Sequence, residues 1–281
     1  MTRTIVRLLG RGGLYVLLTT ASILMAFPLF WMISTSLKSL EEANAPRIIW
    51  VPSTVVLDAY RSVLADPDFL RAYVNSAFYA ALALAGTLIS ISAVAYAFSR
   101  LQWPGRNFVF ALMLSTLMIP AQALIVPQYV FFNALRWIGT FNPLIIPGYF
   151  AGGAAMIFLL RQAMAQIPKE LEESAVIDGA SHLRIWWEVV MPLVKAPLAT
   201  VATFLFVAYW NNLLGPLLYA QTTRLHTLPV YVAQLYNINN TVQPWPSIMA
   251  AAVLTTVPLF IVFFLAQRFI LESVVLSGLK G

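Results

Sequence analysis

Apolar residues in this chain gather in long runs separated by short polar stretches. Six runs stand out: 14–34, 73–98, 107–127, 140–160, 197–219 and 247–269. A hydrocarbon layer about 30 Å thick takes roughly 20 residues of helix to cross. Each run therefore predicts one crossing, and the fold class is all-α: a polytopic membrane protein with six transmembrane helices. The fourth run is interrupted by Pro143, Pro147, Gly148, Gly152 and Gly153. Such breakers are tolerated in a membrane where neighbouring helices take up the freed backbone groups. The first run follows Arg3, Arg7 and Arg11 in the manner of a secretory leader. Its apolar stretch is longer and bulkier than a leader core of roughly 7–15 residues, and no small-residue cleavage site precedes Lys38. It reads as a retained helix.

Composition supports this class. The chain is 60% hydrophobic and 10% charged, with a mean hydropathy of +0.79; a soluble domain carries about 25% charged residues. The net charge of +6 is spread between the apolar runs, so no basic face is built and no nucleic acid is expected as a partner. Without cysteine, disulfides, thiol catalysis and Cys-based metal sites are excluded. With the N-terminus inside, the inner segments hold 11 basic residues and the outer ones 6. That asymmetry predicts two cytoplasmic termini.

Three stretches outside the runs are long. Residues 35–72 contain Trp50-Val51-Pro52, an extended or turn element before Leu57–Leu64, and 220–246 carry Tyr231, Tyr236, Pro244, Trp245 and Pro246. Both fall on the outer side. The third, 161–196, falls in the cytoplasm. There Pro168 suits the first turn of a helix, and Glu170, Glu172 and Glu173 favour its N-terminal end. Gly179 suits a left-handed helix stop, Ser181 an N-cap, and Pro192 a terminator. The expectation is a helix–turn–helix. Its second helix is almost wholly apolar apart from Arg184 and Glu188 at i and i+4, so it should lie against the membrane interface or the span ends. Its first helix is polar over most of its surface and free to meet a partner.

Glu173-Ser174-Ala175, then Gly179, then Pro192 thirteen residues further on, resemble the EAA signature of ABC importer permeases. Ser174, Val189 and Met191 depart mildly from its Ala, Ile and Leu. Further landmarks are Asn75-Ser76, Ala95-Tyr96-Ala97-Phe98-Ser99-Arg100, Trp103-Pro104-Gly105, Trp210-Asn211-Asn212, Gln267-Arg268-Phe269 and the tail Ser277–Gly281. Residues 70–281 are similar throughout to the binding-protein-dependent transport permease domain, above all its maltose-type carbohydrate uptake subfamily. Residues 1–69, a helix and an external segment, match only in general plan.

The resemblance implies a division of labour. The elbow within 161–196 would be the coupling element that seats in a groove of a cytoplasmic ABC ATPase dimer. Glu173, Ala175 and Gly179 would be its coupling positions, with Glu172, Asp178 and Ala180 beside them. It further implies a second homologous permease subunit, an extracytoplasmic solute-binding protein and a carbohydrate or related polyol as cargo. Glycerol-3-phosphate or a glycerophosphodiester is the alternative. The setting would be the lipid bilayer of a bacterial inner membrane. No Gly-x-x-x-x-Gly-Lys-Ser/Thr loop is present, so ATP and Mg would bind the partner ATPase, and no cofactor is expected in this chain.

Nothing in the sequence marks an enzyme. His182 and His226, the two histidines, lack metal spacing, and no catalytic pair or triad is visible. The runs hold almost no ionisable residue, which disfavours ion-coupled secondary transport. They do hold neutral polar groups, Asn75, Ser76, Gln122, Gln128, Asn211 and Asn212. These suit interhelical hydrogen bonding or a polar path for sugar hydroxyls. Asn75, Gln122, Trp210, Asn211 and Asn212 are the candidate path residues, with Tyr209 and Trp210 able to stack on a sugar ring. Asn239-Asn240-Thr241 fits a glycosylation sequon by coincidence.

Overall fold

The computed structural model describes the backbone of residues 2–236 and 242–278 and the side chains of 13–236 and 242–270. The Asn239-Asn240-Thr241 sequon, the tail 279–281 and the side chains of Arg3, Arg7 and Arg11 lie outside the described residues. All regular structure among the described residues is helical. Four stretches are long and apolar enough to cross a membrane: Gly13–Ser36, Pro67–Arg100, Asn142–Ala165 and Trp245–Ile270. Two bent pairs raise the number to 6, Arg106–Met118 with Ala121–Ala134 and His182–Leu193 with Lys195–Trp210.

The chain divides into two compact units, Met1–Pro67 with Val232–Val257, and Asp68–Tyr231 with Pro258–Gly281. In the first unit, Gly13–Ser36 exposes apolar side chains along its length, Met25 at 83% and Tyr15 at 68% among them. That suits a helix whose solvent is hydrocarbon. Its C-terminal end is pinned by a small polar and aromatic cluster. Ser34 donates to the Trp50 carbonyl at 2.6 Å, and Lys38 lies 4.1 Å over the Trp31 ring. Burial lowers the Lys38 pKa while Glu42 pulls it back up.

The second unit is organised on Pro67–Arg100. Pro67 opens this helix at a position where its missing N–H costs nothing, and Asp68 sits in the positive first turn. At 1.5 Å per residue its 34 residues extend about 50 Å, well past the hydrocarbon. Its buried stripe runs Ala72, Ser76, Ala80, Ala83, Thr87, Ile91 and Ala95, three and four residues apart on one helical face. Small side chains there let other backbones approach closely, the usual basis of helix association in lipid.

Two expected straight spans are instead bent. The run 107–127 breaks at Ile119-Pro120, turns through 94° and continues to Ala134. Proline disfavours helical geometry in the residue before it, and Ile119 is extended at φ −84°, ψ 118°. The run 197–219 starts at Lys195, stops at Trp210 and resumes over Leu214–Tyr219. Asn212 Oδ1 accepts the Gly215 N–H at 3.0 Å and so tends one of the donors that the restart leaves open. The fourth run keeps its span, with the anticipated irregularity at 146–153. One freed backbone group and one side chain of that segment find partners on the Pro67–Arg100 helix. The Ala151 N–H donates to Ser90 Oγ at 2.7 Å, and the Tyr149 hydroxyl to the Leu82 carbonyl at 3.1 Å.

Candidate functional site: an elbow and a polar cavity

The helix–turn–helix forms, with adjustments. The first elbow helix is Glu170–Ile177, so Pro168 precedes it rather than occupying its first turn. Gly179 has φ +82°, and the Ala180 N–H reaches back to the Ala175 carbonyl at 2.9 Å, the double-back closure of a left-handed stop. Ser181 Oγ accepts the Arg184 N–H at 3.4 Å as the cap of the second helix. That helix runs through a π-turn over Ile185–Val190 and ends at Leu193. Pro192 therefore does not terminate it. The wider π-turn carries the chain past the proline, and the direction changes by 85° at Val194. Arg184 and Glu188 pair at 2.7 Å as the spacing implied.

The second elbow helix seats on the span ends, as its composition required. Ile185, Val190 and Val194 are buried in one cluster with Tyr96, Phe98, Leu160 and Met164. The outward face differs from expectation. Glu172 and Ala175 turn inward, leaving Leu171, Val176 and Ile177 exposed, Ile177 at 86%. On the second helix Leu183 and Trp187 are exposed as well. The reason is local. Arg100 draws Glu172 in with a charge contact of 2.9 Å, and the small Ala175 side chain fits the interior, so the larger apolar neighbours face out. Glu173, Asp178 and Gly179 are also exposed, and Ala180 is half-buried. Burial pushes the Glu172 carboxyl above its ordinary value, against the opposing pull of Arg100, His182 and Lys169. Arg100, an unassigned landmark in the sequence, is the residue missed here.

The opposite end of the second unit carries the loop 220–228. Asn75 Nδ2 donates to the carbonyls of Arg224 and His226 at 2.8 and 2.9 Å, and Ser76 Oγ accepts the Leu228 N–H at 2.8 Å. This Asn-Ser pair is a bracket for the loop. Asn75→Ala should free two carbonyls and cost about 1–3 kcal/mol. The expected result is faster protease cleavage within 220–228, while cleavage of 161–196 stays at the native rate.

Between the two ends, both helix breaks open onto a cavity of about 360 Å³. Tyr79, Gln122, Gln128, Tyr209, Asn212 and Tyr219 supply its polar groups. Asn212 Nδ2 donates to the Tyr79 hydroxyl at 3.0 Å, and the Tyr209 and Thr87 hydroxyls bond at 2.8 Å. Of the path candidates, Gln122 and Asn212 line this cavity. The other three lie elsewhere: Asn75 at the loop bracket, Trp210 buried against Tyr73 and Phe206, and Asn211 bonded back to the Val207 carbonyl at 3.0 Å. Among the described residues, no Lys, Arg, His, Asp or Glu lines the cavity.

Residues 86–275, from the middle of the Pro67–Arg100 helix through both bent pairs and the elbow, match the family described as binding-protein-dependent transport system inner membrane component. The chain belongs to that family. This permease is 33% identical to the trehalose/maltose transport system permease protein MalG of Thermococcus litoralis, over 95% of this chain and 97% of the relative. It is 31% identical to the arabinooligosaccharides transport system permease protein AraQ of Halalkalibacterium halodurans, over 91% of each. It is 29% identical to the sn-glycerol-3-phosphate transport system permease protein UgpE of Brucella abortus, over 93% of this chain and 94% of the relative. Among solved structures, a chain of a bacterial ABC transporter involved in import of the acidic polysaccharide alginate superposes with a TM-score of 0.83 at 26% identity. That match covers 94% of this permease and 97% of the other chain.

Proposed function

We propose that this permease carries a neutral carbohydrate or polyol across a bacterial inner membrane, driven by ATP hydrolysis in a separate ATPase pair that grips the 161–196 elbow. The observation that carries the motor half is the elbow itself. In a membrane permease family, a helix pair seated on the span ends presents an outward rim of Leu171, Val176, Ile177, Leu183 and Trp187. Large apolar side chains left exposed on both elbow helices suit an interaction site. Glu173, beside that rim and exposed, is placed to meet a basic group of the ATPase, and Gly179 to give the turn its shape. ATP and Mg belong to the ATPase in this reading. A second homologous permease completes the pore, a solute-binding protein meets the loops 35–72 and 220–246, and both termini lie in the cytoplasm.

The cargo half rests on the cavity. Its volume falls within the ligand-pocket range of about 300–1,000 Å³. Its tyrosine hydroxyls and side-chain amides match the hydrogen-bonding needs of sugar hydroxyls, with aromatic rings beside them. A phosphate or carboxylate there would meet no cation among the described lining residues, and an unpaired charge away from water is costly. The relatives include a glycerol-3-phosphate system, and the lining favours neutral cargo over that alternative.

Coexpression with the ATPase, the second permease and the binding protein tests both halves. The native chain should co-purify with the ATPase, whereas Ile177→Asp should lose it by charging the rim. Uptake by vesicles should favour neutral di- and oligosaccharides over glycerol-3-phosphate. Gln122→Leu with Asn212→Leu should lower that uptake by about tenfold or more, since two side-chain hydrogen-bonding groups are removed from the cavity lining. Native ATPase recovery with Ile177→Asp would reject the docking rim. Preferential glycerol-3-phosphate uptake would reject the neutral cargo.

A further inference from the structure

At the elbow end of the second unit, one guanidinium holds three elements. Arg100 closes the Pro67–Arg100 helix, and its side chain is 4% exposed. Its Nη2 donates to the carbonyl of Met164 and, at 2.7 Å, to that of Ile167, at and just past the C-terminal end of Ala154–Ala165. Its Nε lies 2.9 Å from Glu172 Oε1 on the first elbow helix. Carbonyls at a helix C-terminus have no partner within the helix; Nη2 serves two of them while the guanidinium charge, through Nε, faces the carboxylate as an ion pair without an aligned hydrogen bond.

We propose that Arg100 is the positioning residue of energy coupling, acting through Glu172 to make the elbow and the ends of two spans move as one body. The packing shows why the ion pair matters. The second elbow helix is held by buried Ile185, Val190 and Val194, but Glu170–Ile177 contains no buried residue. Beside it lies a cavity of about 450 Å³, lined by Tyr96, Arg100, Gln102, Lys169, Glu172 and His182 among others. Close packing therefore does not stop the first helix from rocking against the span end. The Arg100–Glu172 contact and the half-buried Ala175 side chain tie it down. Displacement passes between elements through rigid contacts with discrete arrangements, and a helix face that borders an open cavity can shift. A desolvated ion pair is a poor source of stability, because losing water offsets the attraction. A role in positioning accounts for it better.

The inference rests on the docking reading above, and the test separates the two. Hydrogen exchange is followed in the assembled transporter in lipid nanodiscs, with and without MgATP. In the native complex, MgATP should alter exchange over 170–177 and also at the span ends 90–100 and 154–165. Arg100→Gln and Glu172→Gln should keep the response over 170–177 and shrink that of the span ends by about tenfold, within the range that residues along coupling networks exert. Glu172→Asp, which retains the charge, should recover part of it. If Arg100→Gln fails to insert, Glu172→Gln decides alone, because it leaves both carbonyl contacts intact. A lowered melting temperature with an unaltered span-end response would assign the pair to stability and overturn the proposal. No response anywhere in the native complex would reject the docking reading, and this inference with it.

Discussion

Gly179→Trp should abolish ATPase attachment and uptake while leaving the chain inserted and folded. Gly179 sits at φ +82°, and a Cβ built there meets nothing within 4 Å. A side chain at this position therefore meets no neighbour within the permease. It strains the turn and points into open space, where the proposed ATPase would dock. The left-handed conformation costs a non-glycine residue about 1–2 kcal/mol, least for asparagine. A series separates the two effects. Gly179→Asn should stay near native and Gly179→Ala should carry the backbone cost alone. Gly179→Trp should add a steric block of about 3 kcal/mol, or about a hundredfold in ATPase affinity. Membrane-inserted protein, co-purified ATPase and uptake are measured side by side. Native ATPase recovery with Gly179→Trp would remove the elbow from the coupling interface.

The second large effect is expected far from the elbow. A Cβ on Gly86 would lie 1.7 Å from Tyr149 Cε1 and 1.9 Å from Cδ1, so the tyrosine ring rests on the glycine. The neighbouring contact is also tight, with a Cβ on Gly148 falling 2.3 Å from Thr87 Oγ1. Thr87 is fully buried and bonded to Tyr209 at the edge of the polar cavity. Extra volume at Gly86 must push out the ring, which ends its bond to the Leu82 carbonyl and loosens the irregular segment 146–153. Overpacking of this kind costs about 1–3 kcal/mol for Gly86→Ala, and Gly86→Leu should prevent folding altogether. Thermal denaturation in detergent reads the first, and recovery of monodisperse protein the second. Adding Tyr149→Ala to Gly86→Ala should return part of the stability, the non-additivity expected of touching residues. Native stability of Gly86→Ala would show that the ring yields freely.

Both predictions involve glycines that the sequence presents very differently. Gly179 sits between an acidic helix start and a serine cap, and that local pattern states the turn without any knowledge of the fold. Gly86 lies inside a uniform apolar run, and nothing near it announces a tyrosine 63 positions away. The same contrast holds at the elbow. The apolar second helix, the Ser181 cap and the Arg184–Glu188 pair follow from short-range spacing. The inward turn of Glu172 does not, because its cause is Arg100 across 72 positions of chain. Pro120 lay in plain view within its run, yet length and hydropathy favoured a straight crossing, and the sharp break came from the geometry that proline imposes on Ile119.

By itself, the sequence determined the solvent, the apolar runs able to cross it and the presence of a jointed segment between two of them. These depend on run length, charge content and residues within a few positions of one another. The three-dimensional packing alone decided which neutral polar groups share a cavity, which way the elbow faces and which arginine holds it. In a lipid-facing chain nearly every span is apolar all round, so periodicity says little about which face turns inward. Small-residue contacts and single polar pairs make that choice, and they join residues that only the folded chain brings together.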